Sequence, residues 1–285
     1  MPDTLTLECR DGTPLCALLY PAKAAKGCVV IGSALGVPQG FYKSFAEYLA
    51  EHSFHCLTFD YRGTGESVHA PLSSIQLKDW GEQDIDAAIN AIRNLEGADS
   101  LPVHYIGHSI GGQLLGLAPA AQQLTSILHV AASQPHWTRL EFPHNLKLIS
   151  VGHLVLPLVA LGKEEFPSSK VGLAALNLPS GVATTWARWM RHKDYLFAKK
   201  FGLNTEGYKA LKQPLISWSI SDDHMAPYKP VNELVKRFPN SQSQHRNIDA
   251  ETLGTGTIGH MGFFKKSRKE SLWHEVLSVL NKHSA

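Results

Sequence analysis

The stretch Val103-His104-Tyr105-Ile106-Gly107-His108-Ser109-Ile110-Gly111-Gly112 opens as an apolar strand and closes in glycines, with a serine between them. The pattern Gly-x-Ser-x-Gly in that setting describes a nucleophile elbow, a sharp strand-to-helix turn that lifts a hydroxyl clear of the backbone. Gly107 and Gly111 suit such a turn because side chains there would collide. Gln113 to Gln123, rich in Leu and Ala, is predicted as the following helix. Its N-terminus would face Ser109 and favour negative charge there.

A serine hydroxyl is a weak nucleophile at neutral pH. It needs a base to take its proton and a third group to orient that base. Asp222 and Asp223 stand just after an apolar strand and are the acid candidates; the alternative is that the pair only makes a turn and caps the next helix. His260 sits between Gly259 and Gly262 on a loop before the last helix, and it is the base candidate among 15 histidines. His224 and His245 lie late enough to compete, whereas the His108 side chain is expected to point away from the open side of the elbow. The four cysteines, Cys9, Cys16, Cys28 and Cys56, form no CxxC pair and read as buried thiols, so no metal site and no cofactor are expected.

These groups need a frame. Leu5–Arg10 and Leu15–Tyr20 predict a hairpin turning at Asp11-Gly12, and Gly27–Ile31 and Phe54–Phe59 predict buried strands. Phe41–His52 and Lys78–Leu95 carry helical spacing; in the latter Ile85, Ala88, Ile89, Ile92 and Leu95 form one stripe ended by Gly97. Ser126–Ala132, Pro214–Ile220 and Gln244–Ile248 continue the strands, with helices over Val231–Arg237 and Leu272–Asn281. Alternating strand and helix mean an α/β fold, a mostly parallel sheet with helices on both faces. From His136 to Asn204 the rhythm breaks. Residues 136–204 are therefore expected to form an inserted, mainly helical cap on a core of residues 1–135 and 205–285.

With 285 residues, 44% hydrophobic and 18% charged, the composition is that of a globular domain, and a net charge of +2 calls for neither nucleic acid nor an acidic membrane. The N-terminus lacks a basic start followed by an apolar core, and the apolar run Leu146–Leu161 is broken by Lys147, Gly152, His153 and Pro157. A cytoplasmic protein with no signal peptide and no membrane span is the expectation; oligomeric state is not legible.

The loop Gly32–Gly36, Asp60-Tyr61-Arg62-Gly63-Thr64-Gly65-Glu66-Ser67, the Ser109 elbow, Asp223 through Pro227 and Ile258-Gly259-His260 run in one order over almost the whole chain. Together they resemble the α/β hydrolases, nearest the serine aminopeptidase-like and monoacylglycerol lipase-like branch, whose chain order is Ser, acid, His. More narrowly, Trp186-Ala187-Arg188-Trp189 and Ile258-Gly259-His260-Met261-Gly262-Phe263-Phe264 are similar to segments of a bacterial group of predicted hydrolases. The resemblance implies an α/β-hydrolase fold and a catalytic triad of Ser109, Asp223 and His260. Asp223 is preferred over Asp222 because it stands four residues before Pro227, as the acid does in the family. It also implies an oxyanion hole of two backbone N–H groups, one from Ile110. The other comes from the loop after the Gly27–Ile31 strand, where relatives often carry His-Gly and this chain has Ser33-Ala34; counting back from Tyr42 gives Leu35.

The implied reaction is hydrolysis of a carboxylic ester or related acyl bond of a small molecule. The alternatives are acyl transfer by the same triad and a non-catalytic binding module on the same fold. In the cap, Trp186, Trp189 and Arg188 are candidates for a substrate pocket, against the alternative that the tryptophans pack the cap and the arginine is solvated.

Overall fold

In the computed structural model, which describes residues 1–68, 71–98, 100–254 and 256–284, the strands are β1 (Asp3–Glu8), β2 (Pro14–Tyr20), β3 (Gly27–Gly32), β4 (Phe54–Phe59), β5 (Val103–His108), β6 (Ser126–Val130), β7 (Glu165–Phe166), β8 (Leu178–Pro179), β9 (Leu215–Ile220) and β10 (Ser243–Ile248). Eight of them form one sheet in the order β1-β2-β4-β3-β5-β6-β9-β10. β1 and β2 pair antiparallel and β2 meets β4 antiparallel; from β4 to β10 every pairing is parallel. β3, β5 and β9 are buried along their whole length, as parallel strands covered on both faces must be. The polar β10 lies at one edge, where exposed polar side chains cost nothing and discourage further pairing.

Two apolar layers cover the sheet. One holds Ile85, Ala88, Ile89 and Ile92, and the other holds Phe45, Leu49, Val231, Val276 and Leu280. The chain leaves β3 toward β4 on one side and later returns to add β5 on its other side, so the strand order reverses between β3 and β5. In open α/β sheets the crevice beyond the carboxyl ends of such a pair is where ligands bind. Gly32 is in register with Gly107, so the two strands end level and their following loops face one another.

Two local expectations change. The helix after the elbow is not continuous over Gln113–Gln123: an α turn spans Ile110–Leu114, a 3-10 turn Leu115–Leu117 and another 3-10 turn Pro119–Gln123. Pro119 is the cause, since the residue before a proline is driven out of the helical region, and Ala118 has φ −84 and ψ 116. The stripe predicted over Lys78–Leu95 is helical from Leu77 to Arg93, but Trp80–Ile85 runs as a π turn between α segments. Gly81 lies in that turn, where an added Cβ would meet the Leu114 carbonyl oxygen at 2.9 Å, so the helix approaches the elbow's helix closely.

Between β6 and β9 the chain adds no strand to the main sheet among the described residues. Helical segments span His144–Ser150, Val151–Val155, Leu156–Ala160 and Ser180–Met190, and β7 pairs with β8, a small hairpin-like ladder that the sequence rhythm did not signal. Tyr195 fastens this region to the elbow helix, its hydroxyl donating to Gln113 Oε1 at 2.7 Å. No helix among the described residues is long and apolar enough to cross a membrane.

Candidate active site

Ser109 is the turn residue between β5 and the Ile110–Leu114 helix, with φ 51 and ψ −115. A non-glycine residue in that region carries strain of order ~1–3 kcal/mol, held only where the surroundings enforce it. Here the Ser109 N–H donates to Val130 O at 3.0 Å and the Tyr105 hydroxyl donates to Gly111 O at 2.9 Å. The glycines are required by contact. A Cβ on Gly107 would lie 2.5 Å from Gly112 Cα, and one on Gly111 would lie 2.3 Å from Gly32 O.

His260 Nε2 stands 2.9 Å from Ser109 Oγ, and its Nδ1 stands 2.7 Å from Asp223 Oδ2. The Asp223 side chain is fully buried and that of His260 is 12% exposed. Burial alone would raise the Asp223 carboxyl, but the hydrogen bond and charge of His260 and the N–H groups of Met225 and Ala226 outweigh it and hold the carboxyl below its ordinary value. An ionised carboxylate only accepts, so Nδ1 of His260 carries the proton. In the neutral imidazole Nε2 is then the lone pair that faces the serine hydroxyl.

Asp222 takes a different position. Its Oδ2 accepts the N–H of Ile258 and its Oδ1 the N–H of Gly259, both at 2.8 Å. Gly259 has φ +58, so this part of the base loop is a bend that a carboxylate clasps from beneath. The competing histidines are occupied elsewhere: His224 stacks on His144 with centroids 3.9 Å apart, and His245 Nε2 meets Ser219 Oγ at 2.9 Å.

The loop after β3 turns through Leu35 and Gly36, closed by Val37 N–H donating to Ala34 O at 3.1 Å, with Gly36 at φ +63. The Ala34 N–H is taken by the Tyr42 hydroxyl at 2.9 Å, whereas the N–H of Leu35 has no acceptor among the described residues. The Ile110 N–H is at a helix N-terminus, where no intrahelical acceptor exists. Both are thus open to an anion.

Asp60 explains why the loop holds its shape. It accepts the Gln39 N–H at 2.8 Å and the Glu66 N–H at 3.1 Å, so the loops after β3 and β4 are tied through one buried carboxylate. In the sequence Asp60 is marked only by its position at the end of the Phe54–Phe59 strand, and nothing local signals that role. Arg62 of the same loop pairs with Asp84 and with Asp11, each at 2.6 Å.

Trp186 and Trp189 belong to the apolar layer, 9% and 2% exposed, and Trp189 meets the Tyr195 ring edge-on at 5.7 Å. Arg188 lines a cleft of about 260 Å3 with Trp189, Gln76, Lys78 and Lys200. Ser109, Asp223 and His260 are not among the residues lining it. Cys9, Cys28 and Cys56 are buried free thiols and Cys16 is half-buried. No three His, Cys, Asp or Glu side chains among the described residues converge as a metal ion requires.

An eight-stranded, mostly parallel sheet with a strained serine at its switch point is the architecture of an α/β hydrolase. Residues 29–263 match the model of the alpha/beta hydrolase family, and the chain belongs to that family. It is 26% identical to the quorum-quenching protein AidA of Acinetobacter baumannii, over 71% of each chain. Among solved structures it is similar to a soluble variant of monoglyceride lipase from Saccharomyces cerevisiae, with a TM-score of 0.70 at 13% identity over 100% of this chain and 96% of that one. An esterase of Pyrococcus furiosus gives a TM-score of 0.65 at 15% identity, over 99% of this chain and 91% of that one. A thermophilic esterase of Thermogutta terrifontis gives 0.64 at 16% identity, over 99% and 100%. These structural likenesses are likenesses of fold.

Proposed function

We propose that the protein is a serine hydrolase that cleaves a carboxylic ester, or a related acyl bond, of a small molecule through an acyl-enzyme on Ser109. The observation that carries this reading is the unbroken line from Asp223 Oδ2 through His260 to Ser109 Oγ, with contacts of 2.7 and 2.9 Å. Ser109 Oγ attacks the acyl carbon as its proton passes to His260 Nε2. The carbonyl oxygen becomes an oxyanion and is met by the N–H groups of Ile110 and Leu35. His260 returns the proton from Nε2 to the leaving alcohol, and the bond to it breaks. Water then gives its proton to Nε2 and attacks the acyl-enzyme; the acid leaves and Ser109 recovers its proton. Asp223 keeps Nδ1 protonated and balances the charge on the imidazolium. Residues 136–204 form a cap that bounds the acyl site.

The test is a fluorophosphonate probe with p-nitrophenyl esters of rising chain length. Wild-type protein is expected to be labelled once and to hydrolyse at least the short esters, and Ser109→Ala and His260→Ala to lose both. Folded wild-type protein that takes up no probe and cleaves no ester overturns the proposal. Added alcohol or thiol acceptors in the same assay separate hydrolysis from acyl transfer.

A further inference from the structure

The elbow brings a second histidine into the site. His108 precedes Ser109, and its side chain is fully buried behind the turn. Its Nε2 lies 2.9 Å from the backbone carbonyl oxygen of His260, and its Nδ1 lies 2.8 Å from the hydroxyl of Tyr42, also fully buried. That hydroxyl in turn accepts the Ala34 N–H, one residue before the free N–H of Leu35. Phe264 closes the group, with its ring centroid 4.9 Å from that of His108 and 5.0 Å from that of Tyr42.

The chemistry of the partners fixes the direction of every bond. The His260 carbonyl only accepts, so His108 Nε2 carries the hydrogen. Burial first, and the neighbouring His260 charge second, push the His108 pKa down to about 3, so the ring is neutral and Nδ1 has only a lone pair. The Tyr42 hydroxyl therefore donates to Nδ1 while accepting from Ala34. The run is Ala34 N–H to Tyr42 O–H to His108 Nδ1, and His108 Nε2–H to the His260 carbonyl, with every polar group satisfied.

We infer that Tyr42 and His108 are positioning residues that lock the oxyanion turn to the loop bearing the catalytic base, so that donor and base keep one spacing. The inference rests on the serine hydrolase reading above. Three tethers then hold the base: Asp223 on its ring, Asp222 on the two preceding N–H groups and His108 on its carbonyl. Only the third also reaches the oxyanion turn. Because the brace stays neutral, it adds no charge 5.3 Å from the ring that must accept a proton.

The amides of Asn and Gln reproduce the two ring nitrogens separately. In His108→Gln the amide reaches the Nε2 position and donates to the His260 carbonyl; in His108→Asn it reaches only the Nδ1 position and meets Tyr42. Fluorophosphonate labelling of Ser109, with kcat and KM on p-nitrophenyl acetate, reads the difference. The expected result is a loss in labelling rate and kcat of about 10- to 100-fold for His108→Asn, which frees the base loop, and about 10-fold for His108→Gln, which leaves the Tyr42 hydroxyl without its acceptor, with KM nearly unchanged. Tyr42→Phe, which preserves the packing, is expected to lose about 10-fold in kcat. The inference is overturned if Tyr42→Phe or His108→Gln matches wild type, or if the variants fall only in step with lost thermal stability. Failure of wild-type protein to label would instead overturn the serine hydrolase reading.

Discussion

Asp222 and Asp223, adjacent in the chain, hold the same histidine loop by different handles: Asp223 meets the His260 ring, and Asp222 accepts the N–H groups of Ile258 and Gly259. Two neighbouring carboxylates cannot both face one imidazole, and the pair divides between orienting the ring and shaping its backbone. In Asp223→Asn an amide N–H would face Nδ1 and favour the wrong tautomer, so labelling of Ser109 should fall by about 10^4-fold. Asp222→Asn keeps one acceptor and sets an N–H₂ against the other backbone N–H. It misplaces the ring without inverting its tautomer and should lose about 10- to 100-fold. Equal losses in the two variants would contradict this division.

The elbow glycines are predicted to tolerate no methyl group. A Cβ on Gly111 meets the Gly32 carbonyl at 2.3 Å and the Ser33 carbonyl at 3.0 Å, and both are backbone atoms that cannot rotate away. Gly111→Ala must drive the elbow and the oxyanion turn apart, at a cost of about 3 kcal/mol or more and with loss of labelling. Gly40 is the control: an added Cβ there meets nothing within 4 Å. Gly40→Ala should stay within about 0.5 kcal/mol of wild type in urea unfolding.

The strand-turn-helix around Ser109 was legible because everything that specifies it is local: an apolar strand, two glycines at fixed offsets and a helical start. The mostly parallel sheet followed equally from alternation of strand and helix. What sequence did not carry is contact across the chain. Tyr42 and His260 are 66 and 152 residues from His108, and no periodicity marks their meeting. The ring nitrogens of His108 meet the Tyr42 hydroxyl and the His260 carbonyl, and those partners are set by tertiary packing. The same holds for Asp222, whose partners lie 36 and 37 residues away. The broken helix after the elbow has a local cause: Pro119 drives Ala118 out of the helical region, which outweighs the helix preference of the Leu and Ala residues around it.

The link between Tyr195 and the elbow helix should be measurable as stability. Tyr195 is fully buried, and its hydroxyl donates to Gln113 Oε1 at 2.7 Å. Tyr195→Phe removes the donor without leaving room for water, so the amide oxygen loses its partner. The expected cost is about 1–3 kcal/mol in urea unfolding. No change in the midpoint would mean that Gln113 finds another donor.

Three buried histidines should make the fold sensitive to mild acid. His104, His108 and His129 are all fully buried. Burial pushes their pKa values down to about 4, about 3 and about 3 respectively. His129 has no hydrogen-bond partner for either ring nitrogen among the described residues, and its ring sits against Phe238. The unfolded chain protonates these residues near pH 6.5, while the folded chain does not. A depressed histidine contributes stability that is present above pH 6.5 and is lost as pH falls toward its folded value. Each such group gives a slope of about 1.4 kcal/mol per pH unit, so the three together approach about 4 kcal/mol per unit between about pH 6 and pH 4. Urea midpoints measured from pH 7.5 down to pH 5 should trace that fall. His129→Leu, which replaces an unpartnered imidazole by an apolar side chain, should remove about a third of the slope. A slope unchanged in that variant would show that His129 takes up its proton in the folded state.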